Sequence, residues 1–411
     1  MQPTRARLAY QTSCRSPCKY NVNSVGDCLA GMDTHSHAKA TAGLSHNRHA
    51  VSVTCALSQP SIQPTMTSRP FYPFAAVALS LALAACAPMS TSASADSSAQ
   101  RYSFGLWGDM PYKKAGDAPK LPAVLASINA SDIAFSMYDG DIKDGSSKCG
   151  DDVYTDALTM FNTLKKPVVY VPGDNEWTDC HRTNNGGMDP LERLAHLRRV
   201  MYPSTKSLGQ QTLPLQHQGA LGQPYVENTR FAYGPVVFAG FNMPGSNNNQ
   251  VISVKKCSSK SQRTQADCDA ANAEFSARDA ANRQWLKDTF AQAHASGARG
   301  VVLVVQGEPG FDVAETEDID DSQAPGVSGY RAFMSNVEAQ TRDFPGQVLF
   351  VHGDQHVFKV DKPLPRSLNP LLNFTRVETF GSPSLHWVKV TVDATSTNLF
   401  QVAPVIVQHG K

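Results

Sequence analysis

The sequence has almost no excess charge of either sign. Its 411 residues include 37 Lys and Arg against 36 Asp and Glu, a net charge of +1. A protein that tracks phosphate backbones carries a clustered basic excess, so a nucleic-acid surface is not expected. No glycine-x-glycine-x-x-glycine turn follows the first strand-like run, which argues against a lone dinucleotide-binding fold. No internal repeat is evident, so stacked-repeat architectures are set aside. The apolar run Phe71–Ala85 is shorter than the roughly 20 residues a spanning helix needs.

That short run reads instead as an export signal. Translation is expected to start at Met66, with residues 1–65 a non-native or disordered extension. Arg69 is the basic start, Phe71–Ala85 the apolar core, and Leu83-Ala84-Ala85-Cys86 a lipobox whose Cys86 would be lipidated. The alternative for 66–85 is a buried core helix. Ala87 after the cysteine suggests the outer membrane in a two-membrane bacterium, so an exported, lipid-anchored protein of the cell envelope is expected. Residues 86–101 read as a flexible tether and 102–411 as one domain. Residues 1–85 hold seven of the basic and two of the acidic side chains, leaving 30 and 34 beyond them, net −4. Four further cysteines, Cys149, Cys180, Cys257 and Cys268, are an even number in an exported chain. Pairing Cys257 with Cys268 would close a local loop, and pairing Cys149 with Cys180 would join two Gly-Asp loops. Four free thiols are the alternative.

Short apolar runs rich in β-branched and aromatic residues predict strands at 102–107, 133–138, 167–172, 235–241, 300–306, 347–351 and 386–392. Helical periodicity predicts 119–129, 151–164, 189–200, 270–295 and 328–341, the long one carrying Phe275, Trp285, Leu286 and Phe290. The polar stretches 203–230 and 242–268 read as irregular. Alternating strands and helices, with more strand late in the chain, predict α/β layers on a mixed sheet or on two sheets.

Four apolar runs end in Gly-Asp: Phe104–Asp109, Met137–Asp141, Val168–Asp174 and Leu349–Asp354, the last continuing to Gln355-His356. A strand ending in a glycine turn delivers the next side chain to the sheet edge, and several parallel strands doing so crowd carboxylates around one crevice. Oxygen and imidazole donors around one point suit divalent cations. A single Gly-Asp is an ordinary turn; the ordered set is what carries the signal.

In that order and spacing the chain resembles the calcineurin-like metallophosphoesterases, a superfamily that includes purple acid phosphatases. The resemblance runs from about residue 102 to 360. It implies a four-layer α/β/β/α sandwich of two mixed sheets flanked by helices, two metal ions, and hydrolysis of phosphate mono- or diesters by a metal-activated water. It places Asp109 on the first aspartate, with Pro111 where a His is usual, and Asp141 on the bridging aspartate. Asp174 falls on the metal-binding Asn, Asn175 on the His that assists catalysis, and Glu176 on the acidic position. Gln306 or Glu308 stands where a ligand His is expected, Asp354 replaces the first His of the last motif, and His356 matches its second.

Asp174 and Asp354 make such a site harder and more anionic, favouring Mn²⁺, Mg²⁺, Ca²⁺ or Fe over Zn²⁺. An amide at Asn175 cannot protonate a leaving alkoxide, so general-acid help must come from elsewhere or be absent, with His352 and His181 as the candidates to supply it. Lys143 reads as solvated or as a partner for phosphate. Asn242 and Asn247 are candidate phosphate donors, and Arg376 and His386 candidates to approach the site. Trp107 and Trp177 are expected to pack the loops down. Two other readings stay open: a non-catalytic envelope lipoprotein binding metal or a phosphate ligand on the same fold, and a structural lipoprotein whose turns merely end in Asp.

Overall fold

The computed structural model describes residues 100–311, 324–364 and 370–409. The extension 1–65, the signal 66–85, Cys86 and all but the last two residues of the tether lie outside the described residues. The strands are β1 (Arg101–Trp107), β2 (Ser136–Tyr138), β3 (Val168–Tyr170), β4 (Gln216–His217), β5 (Thr229–Tyr233), β6 (Val236–Gly240), β7 (Gly300–Val304), β8 (Gln347–His352), β9 (Lys359–Asp361), β10 (Phe374–Glu378), β11 (Trp387–Asp393) and β12 (Phe400–Val405). The longer helices are α1 (Leu121–Ala130), α2 (Asp151–Asn162), α3 (Pro190–Met201), α4 (Gln265–Ala295) and α5 (Arg331–Asp343).

Two mixed sheets result, ordered β12-β11-β1-β2-β3 and β4-β5-β6-β7-β8-β10-β9. In the first, β1, β2 and β3 run parallel. In the second, β6, β7, β8 and β10 do. Such strands are buried on both faces, and their side chains alternate between two apolar layers. Phe104, Leu106 and Met137 point between the sheets, against Phe238, Val302, Val304, Leu349 and Val351. Trp107, Tyr138 and Tyr170 lie in a second layer with Val124, Phe161 and Leu194 of α1, α2 and α3. Val301, Leu303, Val348 and Phe350 lie in a third, with Trp285, Leu286 and Phe290 of α4 and Phe333 and Val337 of α5. Each of these side chains contributes about 1.5–3 kcal/mol by leaving water. The layering is α/β/β/α.

All seven expected strands are present, and β2 is trimmed to its last three residues. Five strands, β4, β5, β9, β10 and β12, were not expected. β10 carries Arg376 and Glu378 buried within it. Polar residues inside a strand hide the apolar run that would announce it. The expected irregular stretch 203–230 gives up β4 and the start of β5. α4 begins five residues before the expected start because Thr264 and Asp267 form a reciprocal cap, each side chain accepting the other's backbone N–H. Disulfides join Cys149 to Cys180 and Cys257 to Cys268.

Candidate metal centre

Each Gly-Asp sits just past the carboxyl end of a parallel strand: Asp109 after β1, Asp141 after β2, Asp174 after β3, Asp354 and His356 after β8. The loops are stitched together by their backbones. Asp109 N donates to Gly140 O at 2.8 Å, Ser382 N to Asp109 O at 2.9 Å, and Asp354 N to Asp109 Oδ2 at 3.3 Å. At Gly353 a Cβ would stand 2.0 Å from Asp109 Oδ2, so only glycine lets the β8 loop approach this close. Asp109, Asp141, Asp354 and His356 all have positive φ, between 50° and 74°. Four such residues around one point store local strain that the surrounding fold must hold.

One half of the cluster surrounds Tyr112. Its hydroxyl lies 3.0 Å from Asp141 Oδ2, 3.3 Å from Asp109 Oδ1 and 3.3 Å from His356 Nε2. His356 Nε2 is itself 3.2 Å from Asp109 Oδ1. His356 Nδ1 lies 2.7 Å from Ser382 O, an acceptor, so Nδ1 carries a proton, and it is loss of the second proton, from Nε2, that would free a lone pair to face the cluster. Asn175 covers Asp141: its backbone N–H reaches Oδ1 at 3.0 Å and its side-chain amide bonds Oδ2. Sequence reasoning missed Tyr112. Its available signal was spacing, because Tyr112 follows Asp109 by the same interval at which Asp144 follows Asp141.

The other half holds Asp174 and Asp354. A Cβ on Gly245 would meet Asp354 Oδ1 at 2.7 Å and Asp174 Oδ2 at 2.9 Å, so both carboxylates face one small space. Gln306 sits there too. It accepts from Gly245 N and donates to Asp354 Oδ1 at 3.3 Å, so it positions Asp354. Ser246, Asn247, Asn248 and Asn249 form a run of positive φ, 51° to 62°. L-residues seldom take consecutive left-handed positions, and Asn tolerates them best. The turn is clamped by α4: Arg278 donates to Asn242 O at 2.8 Å, Asn248 O at 3.0 Å and Asn248 Oδ1 at 2.5 Å. Its product is the placement of Ser246 Oγ, 2.7 Å from Asp174 Oδ2 and 2.9 Å from Asp179 Oδ1.

Burial, then the neighbouring Asp174, Asp109 and Glu176, pushes the Asp141 carboxyl well above the usual range. Burial and Asp174 do the same to Asp354 and raise Asp179 to about 8. Burial would pull His356 down, but its bond to Asp109 and that carboxylate's charge hold it at about 9. Each group keeps a proton in the fold that the unfolded chain has lost, so each weakens the metal-free protein as pH rises. The His356 share is complete below its unfolded value of about 6.5 and vanishes through about 9. His352 and His181, pulled down to about 3 and about 4 mainly by burial, act oppositely but only below about 6.5. The melting temperature in chelator is therefore expected to fall from pH 6.5 to 9, and Mn²⁺ to flatten the fall. Thermal melts across that range with EDTA or Mn²⁺ check this; identical slopes would contradict it.

Not every sequence candidate joins the cluster. His352 is corrected as proton donor. Its ring is buried against Phe311 and Phe350, Nδ1 lies 2.9 Å from Gly353 O, and Nε2 lies 3.4 Å from Arg376 Nη1. Burial beside that cation keeps it neutral. His181 Nδ1 is engaged by Thr178 O at 2.6 Å. Lys143 is buried, not solvated, and its ammonium donates to Asp144 O at 2.7 Å and Asn175 O at 2.9 Å. Asn242 bonds Glu227, and Asn247 bonds Gln250, so both amides hold loops. Arg376 pairs with Asp361, and His386 stacks on His409. Trp107 and Trp177 are fully buried. Glu176 lies beneath the loops, its Oε1 accepting from Tyr170, Gly173 N and Asp141 N. Glu308 caps Gly310 and Phe311 N–H groups while its own N–H reaches Asp354 Oδ2 at 3.3 Å.

Among the described residues, no three His, Cys, Asp or Glu groups converge on one point as a preformed cage. With Tyr112 counted, neighbouring donor atoms stand 3.0–3.3 Å apart. Adjacent donors on a shell of about 2.0–2.6 Å bonds take about that spacing. The donors are mostly oxygens with one imidazole, and burial, then the neighbouring carboxylates, raises Asp141 and Asp354. The chemistry of the donor set fits hard divalent cations.

A two-sheet sandwich whose Gly-Asp loops from both sheets meet at one acidic cluster is the class of molecule these observations define. No family model and no curated protein matches the sequence. Solved structures of related shape include PhoD, at 13% identity over 74% of this chain and 68% of that one, TM-score 0.45. Purple acid phosphatase PPD1 from yellow lupin matches at 9% identity over 74% and 54% of the two chains, TM-score 0.36. The 5'-nucleotidase of Candida albicans matches at 10% identity over 74% and 50%, TM-score 0.34. All three are calcineurin-like metallophosphoesterase superfamily members. This chain spans about half the length of the last two. At these identities the likeness is one of shape, and the site is read from this chain's own side chains.

Proposed function

We propose that this chain is a metal-dependent phosphoesterase that hydrolyses phosphate mono- or diesters. The supporting observation is the meeting of Asp109, Tyr112, Asp141 and His356 atoms within 3.0–3.3 Å, delivered by loops of both sheets. Asp109, Tyr112, Asp141 and His356 would hold one divalent ion, and Asp141, Asp174 and Asp354 a second, drawn from Mn²⁺, Mg²⁺, Ca²⁺ or Fe rather than Zn²⁺. When bound, such ions polarise a phosphoryl oxygen and lower the pKa of a water. Asn175 orients Asp141 through two hydrogen bonds and leaves no proton donor where a leaving alkoxide would need one. Gln306 and Ser246 fix Asp354 and Asp174. Turnover is therefore expected on aryl esters, whose leaving groups need little acid help, and to be at least about 100-fold slower on alkyl esters, the usual scale of general-acid assistance. Comparing an aryl and an alkyl phosphate in Mn²⁺ checks this; equal rates would require an acid this account lacks.

One second reading has an observation in its favour. Asn175, together with the engaged His352 and His181, also suits a non-catalytic protein that binds metal or a phosphate ligand in the same crevice. It predicts metal binding with no turnover on either ester. In both readings the domain is exported and lipid-anchored through Cys86 in the cell envelope. Two disulfides support an oxidising compartment. Among the described residues, no helix is long and apolar enough to cross a membrane.

A further inference from the structure

Beside the acidic cluster lies an open cavity of about 500 Å³ of opposite character. Its wall includes Arg182, Lys256, Lys260 and Arg263, and its only acidic lining residue is Asp179. Asp179 is already paired with Arg182 at 2.6 Å. Among the described residues, Lys256 and Lys260 make no ion pair, and the Arg263 Nε is buried without a hydrogen-bond partner. His181 also lines the cavity and stays neutral at pH 7, its pKa pulled down to about 4 by burial. The lining thus carries an uncompensated positive charge within a few ångströms of a strongly acidic site.

The two sites are joined through one hydroxyl. Arg182 Nη2 donates to Ser246 Oγ at 3.3 Å, and Ser246 Oγ donates to Asp174 Oδ2 at 2.7 Å. The wall is also built to stay in place. Arg182 lies two residues past Cys180, Cys257 is in the lining, and both cysteines are disulfide-bonded. Thr183 N donates to Lys260 O at 2.8 Å, tying the two disulfide-bearing loops to each other. Cations on a rigid wall lose less entropy when they engage an anion than cations on free loops.

We infer that this cavity binds a second phosphate group of the substrate. The inference rests on the phosphoesterase reading and narrows it: the substrate is an ester bearing at least two phosphates a few bonds apart. One is held at the acidic centre and the other by Arg182, Lys256, Lys260 and Arg263. A lone phosphate monoester fills only the first position.

The test titrates inorganic pyrophosphate calorimetrically into the chain from Ser90 onward, in EDTA, so that the acidic centre carries no metal to attract it. Wild type is compared with Lys256→Ala/Lys260→Ala and with Lys165→Ala, an exposed lysine outside the cavity. All substituted lysines are exposed, and melting temperatures confirm folding. The wild type is expected to bind, more weakly at high salt. The double variant is expected to lose about tenfold or more in affinity, and Lys165→Ala less than twofold. No binding by wild type, or equal binding by all three proteins, overturns the inference. Hydrolysis of an aryl phosphate by wild type in Mn²⁺ is measured alongside. Hydrolysis without pyrophosphate binding overturns the cavity inference alone. Binding without hydrolysis overturns the phosphoesterase reading, and with it the cavity's role toward a substrate.

Discussion

Asp141→Asn is expected to abolish metal-dependent turnover, by at least about 1,000-fold, and to raise the melting temperature of the metal-free protein at pH 8. The two effects share one cause. Asp141 is buried, its oxygens lie against Tyr112 and Asn175, and Asp174, Asp109 and Glu176 all repel its charge. In the fold alone that charge is a burden, since burial of an uncompensated carboxylate is costly. To a cation shared between the two halves of the centre it is the common ligand, and removing it removes electrostatic stabilisation of the reacting phosphoryl group. The amide keeps the shape and one acceptor for Asn175 N–H. A rise of about 2 °C or more corresponds to relief of about 1 kcal/mol in a domain of this size. Thermal melts in EDTA and rate assays in Mn²⁺ read both effects. An Asn variant with normal turnover, or one less stable than wild type in EDTA, would contradict this assignment.

Removing the Cys149–Cys180 disulfide is expected to cost about 3–4 kcal/mol, the chain-entropy value for a loop of about 32 residues. It should also slow turnover beyond the loss of folded protein. The loop it closes contains Gly173-Asp174-Asn175 and Glu176. Cys149 Sγ lies 3.5 Å and Cys180 Sγ 3.8 Å from Asn175 O, so the bridge presses on the residue that covers Asp141. Without it, Asn175 and Asp174 gain freedom, and a centre loosened by about 1 Å can lose about 100-fold in rate. The Cys257–Cys268 bridge, closing about 12 residues, is worth about 3 kcal/mol in the same treatment and touches the cavity wall instead. Its removal should lower stability while sparing aryl phosphate turnover. Paired Cys→Ser variants, assayed where each is fully folded, separate the two. Equal turnover in both pairs would contradict the special position of Cys149–Cys180.

The Gly-Asp loops were legible because two independent signals coincide at each. An apolar run marks a strand buried on both faces, and the glycine after it marks the turn that lets a carboxylate approach its neighbours. The layered fold followed from those strands and the helices between them. β10 was illegible because Arg376 and Glu378 are satisfied inside the sheet by Asp361 and Lys359, partners distant enough in sequence that no local pattern displays them. Tyr112 escaped notice because a tyrosine three residues past a turn usually packs in a core. The direction of the His352 ring was misread for a related reason. Strand alternation decides which face a terminal residue takes, and His352 falls on the Phe350 face, away from the acids. The Asn-rich stretch after Gly245 looked like a plain loop, and its left-handed path is visible only with the Arg278 clamp in place.

The most direct test of the central claim is release of an aryl alcohol from its phosphate monoester by the chain from Ser90 onward, with Mn²⁺ and then with EDTA. This account predicts turnover that appears with Mn²⁺ and disappears in chelator. Turnover undiminished by EDTA, or none under either condition, would contradict a metal-dependent phosphoesterase at Asp109, Asp141, Asp174, Asp354 and His356.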